Sequence, residues 1–189
     1  VWSSMDKRVC IAHARLAIVD KDPRSHQPLT DEQSDVTVAF AGEIYNYLEL
    51  RSMLASYPYS GKSDTEVILA LYRQKGLDGL RLLKGMYSLV IVHEKAGIVV
   101  LARDPIGKKP LYYARWGESL YFGVSLIPLV AVSGAPVTLR RDSAAAYWRK
   151  GFVPSTQSLI QGAVPVLPGE VCVFSWDGVL KETRSCLSE

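Results

Sequence analysis

The sequence predicts an α+β fold built on a largely antiparallel sheet. Three observations carry this. Short runs rich in β-branched residues recur along the chain, one strongly marked helix lies among the early runs, and hairpin-like pairs of runs fill the second half. With 189 residues, 48% of them hydrophobic, the chain can bury a core as one domain.

Taken in order, Val9 to Val19 is rich in β-branched and small apolar residues and reads as a buried strand. Asp20 to Ser25 is a loop by its turn residues. A second strand covers Val36 to about Ala41, and the helix after it carries Leu48, Leu50, Met53 and Leu54 largely on one face. "SDTEVILALYRQ" (63–74) is the best-marked helix, because Ser63 and Glu66 have capping-box spacing. Leu77 to Leu83 reads as a second, short helix ending near Gly85.

Met86–Val92 and Ile98–Ala102 flank a turn ending in Gly97, the pattern of a hairpin. "RDPIGKKP" (103–110) is a loop, followed by strands around 111–114 and 120–122. A helix begins near Asp142. Val171–Phe174 is a strand, and Asp177-Gly178 turns the chain into a last one.

Composition excludes several functions. A net charge of +3 gives no field of the kind nucleic acid requires. No apolar run reaches the roughly 18 residues of a membrane span, and no signal-peptide pattern opens the chain. Three cysteines, Cys10, Cys172 and Cys186, are too few and odd in number for a disulfide framework, so a cytoplasmic setting is expected. The first residue is Val1, not Met, and the sequence is therefore expected to be a piece of something longer.

Two familiar chemistries fail on spacing. "SGKS" (60–63) opens a helix as a phosphate loop does, but the glycine needed five residues before Gly61 is Ser56. Cys10 and His13 lie three apart on a predicted strand and so face opposite sides; no metal site is expected.

Three polar residues remain where a bland fold would not want them. Arg15 interrupts an apolar run, Glu43 follows Gly42 at a strand end, and Asp64 follows a helix N-cap. Taken singly, Asp64 can simply complement a helix dipole, worth about 0.3–1 kcal/mol, and Glu43 can be a surface turn. A guanidinium on a buried strand, however, needs a carboxylate partner. Together they have the chemistry of an amino-acid cradle: Arg takes an α-carboxylate bidentately, and Glu and Asp take an α-ammonium. Gly42 leaves its N–H open to a close-approaching oxygen.

"AHARLAIVD" (12–20), "HQPL" (26–29), "FAGEIYN" (40–46), "SDTEVILALY" (63–72), "LKGMYSLVI" (83–91) and "ARDPIGKKPLYY" (102–113) follow one another at the spacing of asparagine synthetases. The chain resembles their N-terminal glutaminase domain, a class II glutamine amidotransferase of the N-terminal-nucleophile type, from about Trp2 to about Gly178. The resemblance implies a four-layer αββα sandwich with mainly antiparallel sheets, here lacking its first strand. All of 1–189 would be one type 2 amidotransferase domain. It also implies an N-terminal cysteine nucleophile whose α-amine serves as base, hydrolysing L-glutamine to glutamate and ammonia. By position Arg15 would hold the glutamine α-carboxylate, Glu43 and Asp64 the α-ammonium, and the Gly42 N–H half of the oxyanion hole.

The domain itself would need no cofactor. A C-terminal synthetase domain would use the ammonia with ATP and Mg. The sequence is silent on oligomeric state; the resemblance adds only that related synthetases are often homodimers.

Two departures bear on catalysis. The family's nucleophilic cysteine lies upstream of Trp2 and is not in this chain. Where the family has Asn-Gly-Glu, this chain has Ala41-Gly42-Glu43. The asparagine amide is the second oxyanion donor, and losing such a donor costs about 2.7–4 kcal/mol, or about 10²–10³ in rate. An alternative therefore stands: a degenerate, non-catalytic glutaminase-like domain that scaffolds an adenylating amide synthetase, as in beta-lactam synthetases. Whether the parent is an active amidotransferase is left open by the sequence.

Overall fold

A computed structural model describes residues 1–14, 22 and 25–187. At its centre is a six-stranded antiparallel sheet in the order β11-β10-β6-β5-β4-β3. These strands are β3 (Leu29–Asp31), β4 (Val36–Ile44), β5 (Gly85–His93), β6 (Ile98–Arg103), β10 (Glu170–Ser175) and β11 (Leu180–Ser185). The short pair β1 (Trp2–Ser3) and β2 (Cys10–Ile11) and the three-stranded sheet β8-β7-β9 lie apart from it. In the latter, β7 is Tyr112–Trp116, β8 Ser119–Gly123 and β9 Ala163–Pro165.

Side-chain alternation along the large sheet explains the layers. Val36, Val38, Phe40 and Ile44 of β4, with Leu89 and Ile91 of β5, bury against α1 (Tyr47–Met53) and α2 (Asp64–Lys75). The opposite face, with Ala39, Val90, Val92, Leu101 and Phe174, packs on Ile11, Leu111 and Val166 of the smaller sheets and their connections. The far side of the three-stranded sheet buries Ala114 and Ala163 against Leu129 of α3 (Leu126–Ser133). Helix, sheet, sheet, helix: the four layers form because each sheet has two apolar faces to cover. The last helix, α4 (Arg141–Lys150), buries only Ser143 and Ala146.

Several expectations are corrected. Of the run Val9–Val19 only residues 9–14 are described, and of these Cys10–Ile11 is strand, paired with Trp2–Ser3. The His13 ring donates to the Phe40 carbonyl of β4 at 3.1 Å; the rest of the expected strand, residues 15–19, lies outside the described residues. In α1 only Leu50 of the four named apolar residues is both helical and buried, and Leu54 is buried just past the end. Leu48 and Met53 are exposed.

The short helix expected at Leu77–Leu83 is present, as a 3₁₀ helix over Gly76–Leu82. Gly79 there is pressed against Leu71 and Lys75 of α2, and its neighbour Gly76 disfavours α-helix. Helix α3, not among the elements expected from the sequence, carries Pro128 in its first turn, where no intrahelical N–H is needed. Ser125 before it and the left-handed Gly134 after it were the available signals.

Helix α2 begins as expected, with Ser63 Oγ accepting from the Glu66 N–H at 3.3 Å. Glu66 itself turns away from the reciprocal cap. Its carboxylate accepts from Ser60 N–H at 2.6 Å, Ser60 Oγ at 2.9 Å and Gly61 N–H at 2.9 Å. The first two amides of "SGKS", those of Ser60 and Gly61, are thus occupied by a carboxylate of the chain itself.

Cys172 and Cys186 are buried, and Cys10 is exposed. Burial, reinforced by Glu170, pushes the Cys172 thiol up to about 12 from its ordinary 9.0. Two results follow. Iodoacetamide at pH 8 is expected to label Cys10 alone in the folded protein, and all three cysteines after denaturation, as read by mass spectrometry. Because the folded-state pKa is raised, the unfolded chain ionises first; Cys172 therefore lowers stability progressively as pH rises from about 9 toward 12.

Candidate active site

The sequence-predicted residues Ala41, Gly42 and Glu43 occupy the last part of β4, before Ile44 ends the strand. Among the described residues this part of β4 pairs with β5 alone, in the register Ala41↔Ser88, Gly42↔Tyr87 and Glu43↔Met86. On the other side β3 stops at Val38, its last partner. Beyond it, side chains take over the edge. The Phe40 N–H donates to Gln27 Oε1 at 2.6 Å and the Phe40 carbonyl accepts from His13. Two residues past Gly42, the Ile44 N–H donates to Asp64 Oδ2 at 3.2 Å.

Residues 40, 42 and 44 share one parity. In an antiparallel strand, alternate residues direct their backbone groups to the same edge. The Gly42 amide therefore points away from β5, between two amides satisfied by side chains.

Gly42 is required by its backbone and by its neighbour. Its φ is +149°, and a Cβ there would lie 1.9 Å from the Met86 carbonyl oxygen. Only a residue without a side chain lets β4 approach β5 this closely.

The structure brings Asp64 to this strand end. As the first residue of α2 it is buried, and its carboxylate reaches back to the backbone next to Glu43. Glu43 is half-buried, with the Ala41 and Glu43 side chains on the inter-sheet face that Ala39 also uses. Arg15 lies outside the described residues. No group of three or more His, Cys, Asp or Glu suited to a metal occurs among the described residues.

Sequence reasoning assigned no role to Gln27 or His13, which complete the edge, or to Arg103 and Asp104, which brace it from behind. Asp104 is fully buried and accepts from four amides: Ile106 (3.1 Å) and Lys108 (2.9 Å) on Oδ1, and Lys109 (3.0 Å) and Tyr87 (3.3 Å) on Oδ2. Tyr87 is the register partner of Gly42. Arg103 donates to the carbonyls of Lys109 (2.7 Å), Val166 (2.8 Å), Gly107 (2.9 Å) and Ser155 (3.4 Å). Both charges are thus spent on backbone. The signal was present in "RDPIGKKP", where an Asp ahead of a Gly can organise a loop through its own carboxylate.

Replacing Asp104 with alanine leaves four amides without their acceptor. Each unsatisfied buried group costs about 1–3 kcal/mol, though partial exposure of the loop reduces the sum. The expected result is a loss of more than about 3 kcal/mol in urea denaturation; an unchanged midpoint would contradict this role.

A family model described as a glutamine amidotransferase domain matches residues 1–184. The chain belongs to this family. The amidotransferase domain is 30% identical over 193 aligned residues to a putative asparagine synthetase [glutamine-hydrolyzing] 2 of Methanocaldococcus jannaschii, covering 94% of this chain and 37% of that protein. It is 34% identical to asparagine synthetase [glutamine-hydrolyzing] 1 of Bacillus subtilis, covering 92% of this chain and 27% of that one. The chain thus spans about a third of these curated relatives. Its fold matches that of the B. subtilis glutamine phosphoribosylpyrophosphate amidotransferase complexed with ADP and GMP, with a TM-score of 0.66 over 94% of this chain, 34% of that one, and 22% identity. This likeness establishes the amidotransferase fold of the N-terminal-nucleophile type. The domain is of the kind found in asparagine-synthetase-like proteins, and no helix among its described residues is long and apolar enough to cross a membrane.

Proposed function

We propose that this domain hydrolyses glutamine to glutamate and ammonia as the ammonia-supplying part of an asparagine-synthetase-like amidotransferase. The observation that carries the reading is the end of β4, where the Gly42 amide points away from β5 and stands beside Glu43 and the Asp64 carboxylate. Two carboxylates suit the α-ammonium of a free amino acid, and Arg15 would take its α-carboxylate. A cysteine thiolate from a segment preceding Val1 would attack the side-chain amide carbon. The carbonyl oxygen takes the negative charge facing the Gly42 N–H, ammonia leaves with a proton delivered by the cysteine's α-amine, and water cleaves the thioester. ATP and Mg²⁺ would serve a synthetase portion outside this region.

Ala41 favours a second reading. With one oxyanion donor missing, the domain would bind without turning over and would scaffold an adenylating synthetase. The deciding experiment measures glutamate release from glutamine by the complete gene product, with and without ATP. Release abolished by a cysteine-directed glutamine analogue supports catalysis. No release, from protein that still makes product with free ammonia or an internal amine, supports the scaffold.

A further inference from the structure

Phe40 is held by two side chains from outside its sheet. Its ring is buried in the helix-facing core. Its N–H donates to Gln27 Oε1 at 2.6 Å, and its carbonyl accepts from the His13 ring at 3.1 Å. These are the two backbone groups that a neighbouring strand would pair. A need for hydrogen-bond partners accounts for such contacts wherever a ladder stops. It does not account for the ladder stopping before Phe40 and Gly42.

Strand β3 pairs with β4 in one register, Leu29↔Val38, Thr30↔Thr37 and Asp31↔Val36. Continued in that register, the chain would set Gln27 opposite Phe40 and Ser25 opposite Gly42. A strand facing Gly42 in this way would take its N–H. Ser25 instead turns back and donates its own N–H to the Asp22 carbonyl at 2.9 Å. Gln27 does stand at Phe40, but its side-chain oxygen replaces the backbone carbonyl of a ladder. His13, two residues beyond β2, replaces the backbone N–H. The two side chains therefore imitate one rung of a sheet without the β3 backbone running on to Gly42.

A rung fixes direction. Beyond Gly42 the Ile44 N–H is held by Asp64 at 3.2 Å, so the peptide that carries the Gly42 N–H is suspended between two anchored residues of the same edge. We infer that Gln27 and His13 are positioning residues, which aim the Gly42 N–H at the oxyanion that develops on the glutamine side-chain amide. The inference rests on the proposed glutaminase reading. A misplacement of about 1 Å in such a group costs about 10² in rate. The α-groups of glutamine are assigned to Arg15, Glu43 and Asp64, so losing the rung lowers kcat and spares KM.

The test is steady-state glutamate release by the complete gene product. Gln27→Met keeps the side-chain length without the acceptor, and His13→Leu removes the donor; Gln27→Glu and His13→Gln put back an oxygen and an N–H. The first pair is expected to lower kcat about 10- to 100-fold with KM for glutamine nearly unchanged, and the second pair to recover most of the loss. The γ-aldehyde analogue of glutamine, whose thiolate adduct carries a tetrahedral oxyanion, should bind the first pair more weakly by the same factor, while inhibition by glutamate stays the same. An unchanged kcat, a loss carried in KM, or a loss that the second pair does not repair overturns the inference. Should Gln27→Met or His13→Leu fold badly in a thermal melt, Gln27→Asn, one methylene short of the Phe40 N–H, carries the same expectation. A parent that releases no glutamate refutes the glutaminase reading and the inference with it. A parent that turns over, with variants equal to it, refutes the inference alone.

Discussion

Gly42→Ala is expected to remove most of the stability of the central sheet. The added methyl would overlap the Met86 carbonyl at 1.9 Å and the Tyr87 Cα at 2.8 Å, both backbone atoms of a strand held on its other side by β6 and Asp104. Neither atom can swing away as a flexible side chain would. Overpacking of this kind costs about 1–3 kcal/mol. A non-glycine residue held at a φ of +149° adds about 1–3 kcal/mol. The total is comparable to the whole stability of a marginal domain. Gly117→Ala is the control, since its φ is also positive but nothing lies within 4 Å of its Cβ. Urea denaturation should show a collapse for the first and a loss of about 1 kcal/mol for the second; equal midpoints would mean that β4 can draw back from β5.

Ala41→Asn is expected to raise the glutaminase turnover of the complete gene product by about 10²–10³, with KM little changed. The asymmetry follows from where the groups act. Arg15, Glu43 and Asp64 are proposed to bind the α-groups of glutamine, which are the same in ground and transition states. An amide at position 41 would meet only the developing oxyanion, and such a contact raises kcat. Space is available, since Ala41 is only half-buried and lies opposite the small Ser88. Steady-state glutamate release decides the matter. A variant as slow as the parent, with KM for glutamine intact, would show that more than one donor has been lost and would favour the scaffold.

Much of this architecture was legible before any coordinates. The hairpin from β5 to β6 announced itself by two apolar runs around a glycine turn, and α2 by Ser63 and its apolar stripe. The ordered motifs from "AHARLAIVD" to "ARDPIGKKPLYY" identified the family, which the match over residues 1–184 established. What failed was local. Leu48 and Met53 had apolar identity but fell on the solvent side of a short helix.

By itself the sequence determined which chemistry was within reach: an arginine, two acids and a glycine in family order, with alanine where a second donor is expected. Those facts are residue identities, and folding does not alter them. Only the tertiary structure decided which groups meet. It set Asp64 on the Ile44 amide, placed Gln27 and His13 along the edge of β4, turned Glu66 onto the "SGKS" amides and sent Asp104 behind Gly42. The physical reason is that these contacts join residues up to 27 apart in sequence, and their partners are mostly backbone groups. A backbone amide carries no identity for a sequence to display; only the path of the chain gives it an address.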